Sequence, residues 1–178
     1  MRGIAIILII GLFTTSCSKR IAFTTDLRRK LEAQNIDIAK LQYYNSNQLI
    51  LKRKLDSTEV KVAQGKVTYE SGAYIEEIYI NAKTPGVCEI KLDSDRLKIS
   101  FEEGEGKNLT FGDLNPNSER YYILASAPWK GYTSKTKYQN QVYTVSSPNG
   151  IAYLEIAKSV IRKLKKEKRT AKGRKIVE

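Results

Sequence analysis

Between Gln42 and Ser146 apolar and polar residues alternate with a period of two, and clusters of turn residues cut that alternation into short segments. A period of two sends successive side chains to opposite faces of a strand, so such segments bury an apolar face by forming sheet and not helix. The stretch LQYY, the turn Asn45-Ser46-Asn47 and QLILKRKL predict a hairpin, as do Lys66–Glu70 and Tyr74–Ile80 around Ser71-Gly72. Further strands are expected over Gly86–Leu92, Arg96–Glu102 and Asn108–Phe111, broken at Asp93-Ser94-Asp95 and Gly104-Glu105-Gly106. Arg120–Ala125 and Gln141–Ser146 complete the set before Pro148-Asn149-Gly150.

Helical spacing is confined to the two ends. Thr24, Thr25 or Asp26 can cap a short helix in which Leu27 and Leu31 share a face, and Asp37 can cap a further turn reaching Leu41. Tyr153, Ile156, Ala157, Val160, Ile161 and Leu164 recur three and four apart, with Lys158, Arg162, Lys163 and Lys166 opposite them. The expected fold class is α+β, mainly β: an antiparallel sheet or small barrel with a short N-terminal helix and a C-terminal amphipathic helix.

The first sixteen residues have a different character. Met1-Arg2 is a small positive region, Gly3–Phe13 is apolar, and Thr14-Thr15-Ser16 is small and polar, the pattern of a secretory signal too short to span a bilayer comfortably. Cys17 follows at once. The junction TTSC resembles the lipobox of bacterial lipoproteins, in the relaxed form similar to that of Bacteroidota lipoproteins, with Thr14 where leucine is usual. That resemblance implies diacylglyceryl attachment at Cys17 and cleavage before it. Cysteine arithmetic agrees: with Cys17 lipidated, only Cys88 is left, in the strand-like context GVCEIKL, where it reads as a small buried hydrophobe. Ser18-Lys19-Arg20 offers no aspartate after the cysteine and no acidic patch, a pattern that resembles outer-membrane lipoproteins facing the periplasm. The expected organisation is a signal over 1–16, a lipid-anchored tether over 17–25, one domain over 26–166 and a basic disordered tail over 167–178.

What the chain lacks limits its chemistry. It contains no histidine, which removes Ser-His-Asp and Cys-His nucleophiles, histidine bases and histidine metal sites. There is no Walker loop, no GxGxxG and no CxxC. Glu76 and Glu77 are strand neighbours and face opposite ways, so they cannot form the facing pair that glycosidases need. Glu102, Glu103 and Glu105 read as a solvated hairpin tip, and Asp93-Ser94-Asp95 lacks the length and glycine placement of an EF-hand loop. The expectation is no enzyme, no metal and no cofactor.

Charge singles out two regions. The formal net charge is +12, and residues 158–178 hold ten Lys or Arg against two glutamates. Lys165, Lys166, Lys168, Arg169, Lys172, Arg174 and Lys175 are therefore expected to engage anionic surfaces. The second region lies between Glu119 and Glu155, where no acid occurs and basic residues interleave with aromatics. Within it Trp129, Lys130, Tyr132, Lys135, Lys137 and Tyr138 form the candidate partner-binding loop, for an envelope protein, an anionic lipid or a glycan. The competing explanation is ordinary sheet tyrosines with solvated lysines, and export argues against nucleic acid. Three functions remain open: a lipid-anchored binding or scaffold module, for instance an accessory component of a secretion or gliding apparatus; a lipocalin-like carrier; and an inhibitor or immunity-type lipoprotein.

Overall fold

The alternating segments form strands that divide between two antiparallel sheets sharing one core. The computed structural model describes residues 19–61, 63, 66–93, 95–113, 119–162 and 164. In chain order the elements begin with β1 (Arg20–Ala22), α1 (Thr25–Glu32), β2 (Gln42–Asn45), β3 (Leu49–Leu55), β4 (Lys66–Glu70), β5 (Ala73–Ile80) and β6 (Pro85–Lys91). They continue with β7 (Arg96–Ser100), β8 (Asn108–Asp113), β9 (Tyr121–Ile123), β10 (Thr133–Tyr138), β11 (Gln141–Ser146), β12 (Leu154–Ala157) and α2 (Lys158–Arg162). One sheet runs β1-β12-β2-β6-β7-β8-β9 and the other β10-β11-β3-β5-β4. The fold is mainly β, and neither sheet closes into a barrel. Isolated bridges Thr24–Arg120 and Tyr122–Tyr153 bring the two ends of the larger sheet together without a continuous ladder.

Two expected elements differ. β2 and β3 do not form a hairpin: β2 pairs with β12 and β6, whereas β3 pairs with β11 and β5. The chain does turn at Asn45–Asn47, but it turns from one sheet into the other. The C-terminal amphipathic helix is also shorter than its spacing implies. Leu154 and Ile156 lie fully buried in β12, between β1 and β2, and helix begins only at Lys158. Residues 20–22, expected within the tether, form the edge strand β1.

Local chemistry explains the turns that do pair strands. Ser71 (φ 50) and Gly72 (φ 80) join β4 to β5, and Gln139 (φ 50) and Asn140 (φ 59) join β10 to β11. Two successive left-handed residues match the twist of a two-residue hairpin. The Gln139 N–H also donates to the Gly106 carbonyl at 2.9 Å, which ties this turn to the β7–β8 connection.

Both inner faces and α1 contribute to one filled cluster. Phe23 packs edge-on against Tyr43 and Tyr121, with centroids 5.2 and 4.9 Å away. Leu51 and Val145 of the smaller sheet join Leu97, Ile99, Leu109 and Phe111 of the larger one. Thr24 Oγ1 caps α1 by accepting from the Leu27 N–H at 3.1 Å, and Leu27 and Leu31 face the core. Between those leucines Arg28 is only 3% exposed. It donates to the Tyr121 hydroxyl and the Asp93 carbonyl at 2.9 Å each, and to Glu32 at 3.1 Å, so its buried charge is fully engaged.

Gly86 shows how tightly the larger sheet packs. A Cβ there meets Ile99 Cγ2 and the Phe101 ring at 2.8 Å. Gly86→Ala is expected to lower stability by about 1–3 kcal/mol through overpacking, measured as a shift in the denaturant midpoint. An unchanged midpoint shows that Phe101 swings aside without cost.

Candidate functional site

The outer face of the five-stranded sheet gathers lysines from three strands. One rung crosses all five strands: Lys135 opposes Thr144, Thr144 opposes Lys52, Lys52 opposes Glu77, and Glu77 opposes Lys66. Lys137 and Lys54 lie on the same face one rung away, by the two-residue repeat of β10 and β3. Strands are about 4.8 Å apart and rise about 3.3 Å per residue, so the lysine Cα positions recur roughly every 7 Å along a strand and 10 Å across alternate strands. Lys54, Lys66, Lys135 and Lys137 are exposed. Glu77 sits at the centre, 5% exposed, roofed by Lys52 and Tyr79. The hydrogen bond from Lys52, then that from Tyr79, holds its carboxyl below the usual carboxylate range, and the same contact with Glu77 raises Lys52.

Within the loop expected over residues 127–141, Thr133–Tyr138 form strand β10 and Gln141 opens β11. β10 alternates exposed Thr133, Lys135 and Lys137 with buried Ser134, Thr136 and Tyr138. Lys130 and Tyr132 are exposed at a tight turn in which Lys130 bridges Thr133 around Gly131 (φ 59). Lys135 and Lys137 join the lysine face. Tyr138 is no surface residue: it is 1% exposed, and its hydroxyl donates to Glu102, while burial and then that bond raise its pKa. Trp129 does not project as a free recognition residue either. It is half-buried against the core, and its buried Nε1 has no partner among the described residues. Cys88 is half-buried in β6, where burial pushes its thiol up.

The chain termini meet at one edge. The Lys158 N–H donates to the Lys19 carbonyl at 2.9 Å, and Arg20 opposes Ala157. The Arg20 guanidinium lies 4.1 Å from the centre of the Tyr44 ring. Arg162 is exposed beside Ile161, which is 36% exposed. Cys17 and the tail cations Lys165, Lys166, Lys168, Arg169, Lys172, Arg174 and Lys175 lie outside the described residues. Lys19 and Lys158, the first residue of α2, share this edge. Among the described residues no helix is long and apolar enough to cross a membrane.

Sequence reasoning missed a buried polar cluster on the inner face of the smaller sheet. Arg53 and Glu76 oppose each other in β3 and β5, with Nε 2.8 Å from Oε2. Arg53 also reaches Glu59 at 2.6 Å, and the Tyr143 hydroxyl donates to Glu76 at 2.9 Å. Burial opposes the Arg53 charge, yet its bonds to Glu59, Tyr143 and Glu76 prevail and raise its pKa. Burial, then the bond to Glu76, pushes Tyr143 up to about 12. Arg53 and Glu76 border an open cleft of about 390 Å³ whose other walls include Glu103, Glu105, Lys107 and Gln139. Each charge is already matched, so the cluster fixes the end of the sheet and keeps Glu76 engaged with Arg53. Glu76 and Glu77 do face opposite ways, as their spacing requires, but neither is solvated. Among the described residues no three acids or cysteines gather in a way that could hold a metal ion.

Comparison with protein-family models, with curated proteins and with solved structures finds no match for this chain. The reading of the site therefore rests on its own chemistry.

Glu77 also makes the lysine face sensitive to acid. Its depressed pKa contributes stability that is complete above the unfolded value of about 4.3 and is lost as pH falls through the lower folded value. Glu77→Gln removes that contribution, so its melting temperature should fall less than the parent's between pH 6 and pH 3. Parallel melting curves over that range contradict the ion pair.

Proposed function

We propose that this chain is a non-catalytic lipoprotein of a bacterial envelope, anchored through Cys17 and facing the periplasm, whose body is a binding module for anionic surfaces. The observation that carries this reading is the shared edge of β1 and α2. Cys17 precedes Lys19 by two residues, at most about 7 Å of extended chain. Anchored there, the body sits against the membrane with Lys19, Arg20, Lys158 and Arg162 near the headgroups, and the basic run begins beside the lipid. A lipid anchor and a cluster of cations act together, since each Lys or Arg near an anionic leaflet contributes about 1 kcal/mol. Both sheets contribute their buried apolar residues to a single cluster, which supports a module over a lipocalin-like carrier built around an internal cavity.

Two measurements test the proposal. Mass spectrometry of the membrane fraction should find Cys17 acylated and N-terminal; unmodified protein in the soluble fraction contradicts the anchor. Separately, a chain beginning at Ser18 should sediment with vesicles containing anionic lipid and not with zwitterionic ones. That binding should weaken steeply between about 50 and 200 mM salt, where the Debye length shortens from about 14 to 7 Å. Deleting residues 167–178 should weaken it further and leave the melting temperature unchanged. Binding indifferent to lipid charge and salt removes the electrostatic half of the proposal.

A further inference from the structure

A second feature of the smaller sheet has a narrower chemistry. The segment 126–130 runs alongside β10 as an irregular neighbour. The Ser126 N–H donates to the Lys135 carbonyl at 2.7 Å, and the Ser134 hydroxyl donates to the Ala127 carbonyl at 2.6 Å. The turn at Gly131 closes the far end, and the Ser147 N–H holds it by donating to the Tyr132 carbonyl at 2.9 Å. The groove left between this segment and the outer sheet face has a volume of about 370 Å³. Ala127, Pro128, Thr133 and Thr144 line it, with Lys130 and Lys135 as its charged members.

We infer that this groove is a binding site for a single amphiphilic anion, whose apolar part packs on Ala127, Pro128 and the threonines and whose anionic group Lys130 and Lys135 approach from the two ends. Three observations converge. The lining is uncharged except for two cations, Lys130 at the turn and Lys135 beside Ser126 at the other end, so it suits a ligand that combines apolar surface with negative charge. Both lysines are exposed, and neither has an acidic partner among the described ion pairs, so an arriving anion displaces no existing salt bridge. The groove also opens onto the lysine face, since Lys135 shares its rung with Lys52 and Lys66, and that field draws anions to its mouth. The groove walls are pinned by backbone hydrogen bonds, so little ordering is left to be done on binding. A membrane lipid and a free alkyl anion present the same chemistry here.

The test uses the acylated full chain in zwitterionic vesicles and the fluorescence of its single tryptophan, Trp129, which lies between two lining residues. Hexyl phosphate should produce a saturable change, while inorganic phosphate, hexanol and hexyltrimethylammonium should not. Lys130→Gln and Lys135→Gln should each weaken hexyl phosphate about five-fold or more, from the loss of one cation near the head. Thr144→Phe should abolish the response by filling the groove, yet leave salt-sensitive binding to anionic vesicles intact. That variant separates this site from the general attraction of the proposed function. If anionic lipid in the same vesicles competes with hexyl phosphate, lipid is the source; if it does not, the site takes a free amphiphile. A response to inorganic phosphate alone, or one unchanged by Thr144→Phe or by both lysine substitutions in folded protein, overturns the inference.

Discussion

The two-sheet arrangement depends on one polar corner. Three passages of the chain cross between the sheets there: β2 to β3, β5 to β6, and β11 to β12. Every crossing breaks a ladder and leaves backbone groups that must find new partners away from water. Asn45, fully buried, supplies several: its N–H donates to the Thr84 carbonyl, its carbonyl accepts from the Lys83 N–H, and its side chain donates to the Ile80 and Asn47 carbonyls. Asn47 and Ser147 both donate to the Gly150 carbonyl, and the Tyr153 N–H donates to the Ser46 hydroxyl. The three crossovers thus hydrogen-bond to one another, and among the described residues only the Asn45 Oδ1 of this corner is buried without a partner. The sheets can face each other because this corner replaces the hydrogen bonds that the crossings forfeit.

Fixing one corner has consequences for the distant part of the smaller sheet. Near the corner its inner face is apolar, with Leu49, Leu51, Val145 and Ile80 buried against the larger sheet. Further along, the same face carries Arg53, Glu76 and Tyr143, and beyond them Tyr74 and Tyr69 stand exposed with their rings 5.1 Å apart. The larger sheet no longer covers the face there. The Arg53–Glu76–Tyr143 cluster marks the transition, and its mutual hydrogen bonding lets a half-covered face carry charge without leaving an unpaired buried group.

For most strands the sequence reported the kind of element, and it was silent on which sheet each element joins. Period two is the same in either sheet, so QYYN and LILKRKL around Asn-Ser-Asn read as a hairpin although the turn leads across the core. β10 escaped notice because its inward residues before Tyr138 are Ser134 and Thr136, so alternation of burial left no alternation of hydrophobicity. In β12 Leu154 and Ile156 alternate, but Tyr153, Ile156, Ala157, Val160 and Leu164 also fit helical spacing; the open edges of β1 and β2 decided for strand. The lysine face was illegible for a related reason. Lys52, Lys54, Lys66, Lys135 and Lys137 lie far apart in sequence and converge only through register. Glu76 gave no sign of burial because its partners, Arg53 and Tyr143, are 23 and 67 residues away.

The kind of cation on each surface bears on what each can do. Where geometry is fixed the chain uses arginine: Arg28 links α1 to the β6–β7 turn, and Arg53 spans two carboxylates. A planar guanidinium with five donors suits such defined contacts. The outer face of the smaller sheet presents lysine on three strands instead. Lysine is a hydrated point charge on a flexible stem, depleted from the cores of specific protein interfaces and poorly suited to reading one partner's shape. A regular lattice of such charges on a stiff sheet attracts any anionic surface and discriminates little among them. Discrimination then needs a shaped element beside the lattice, and in this fold the groove between residues 126–130 and β10 supplies one. On the proposed reading, the field of the sheet collects anions broadly, and the groove selects those with an apolar part that fits.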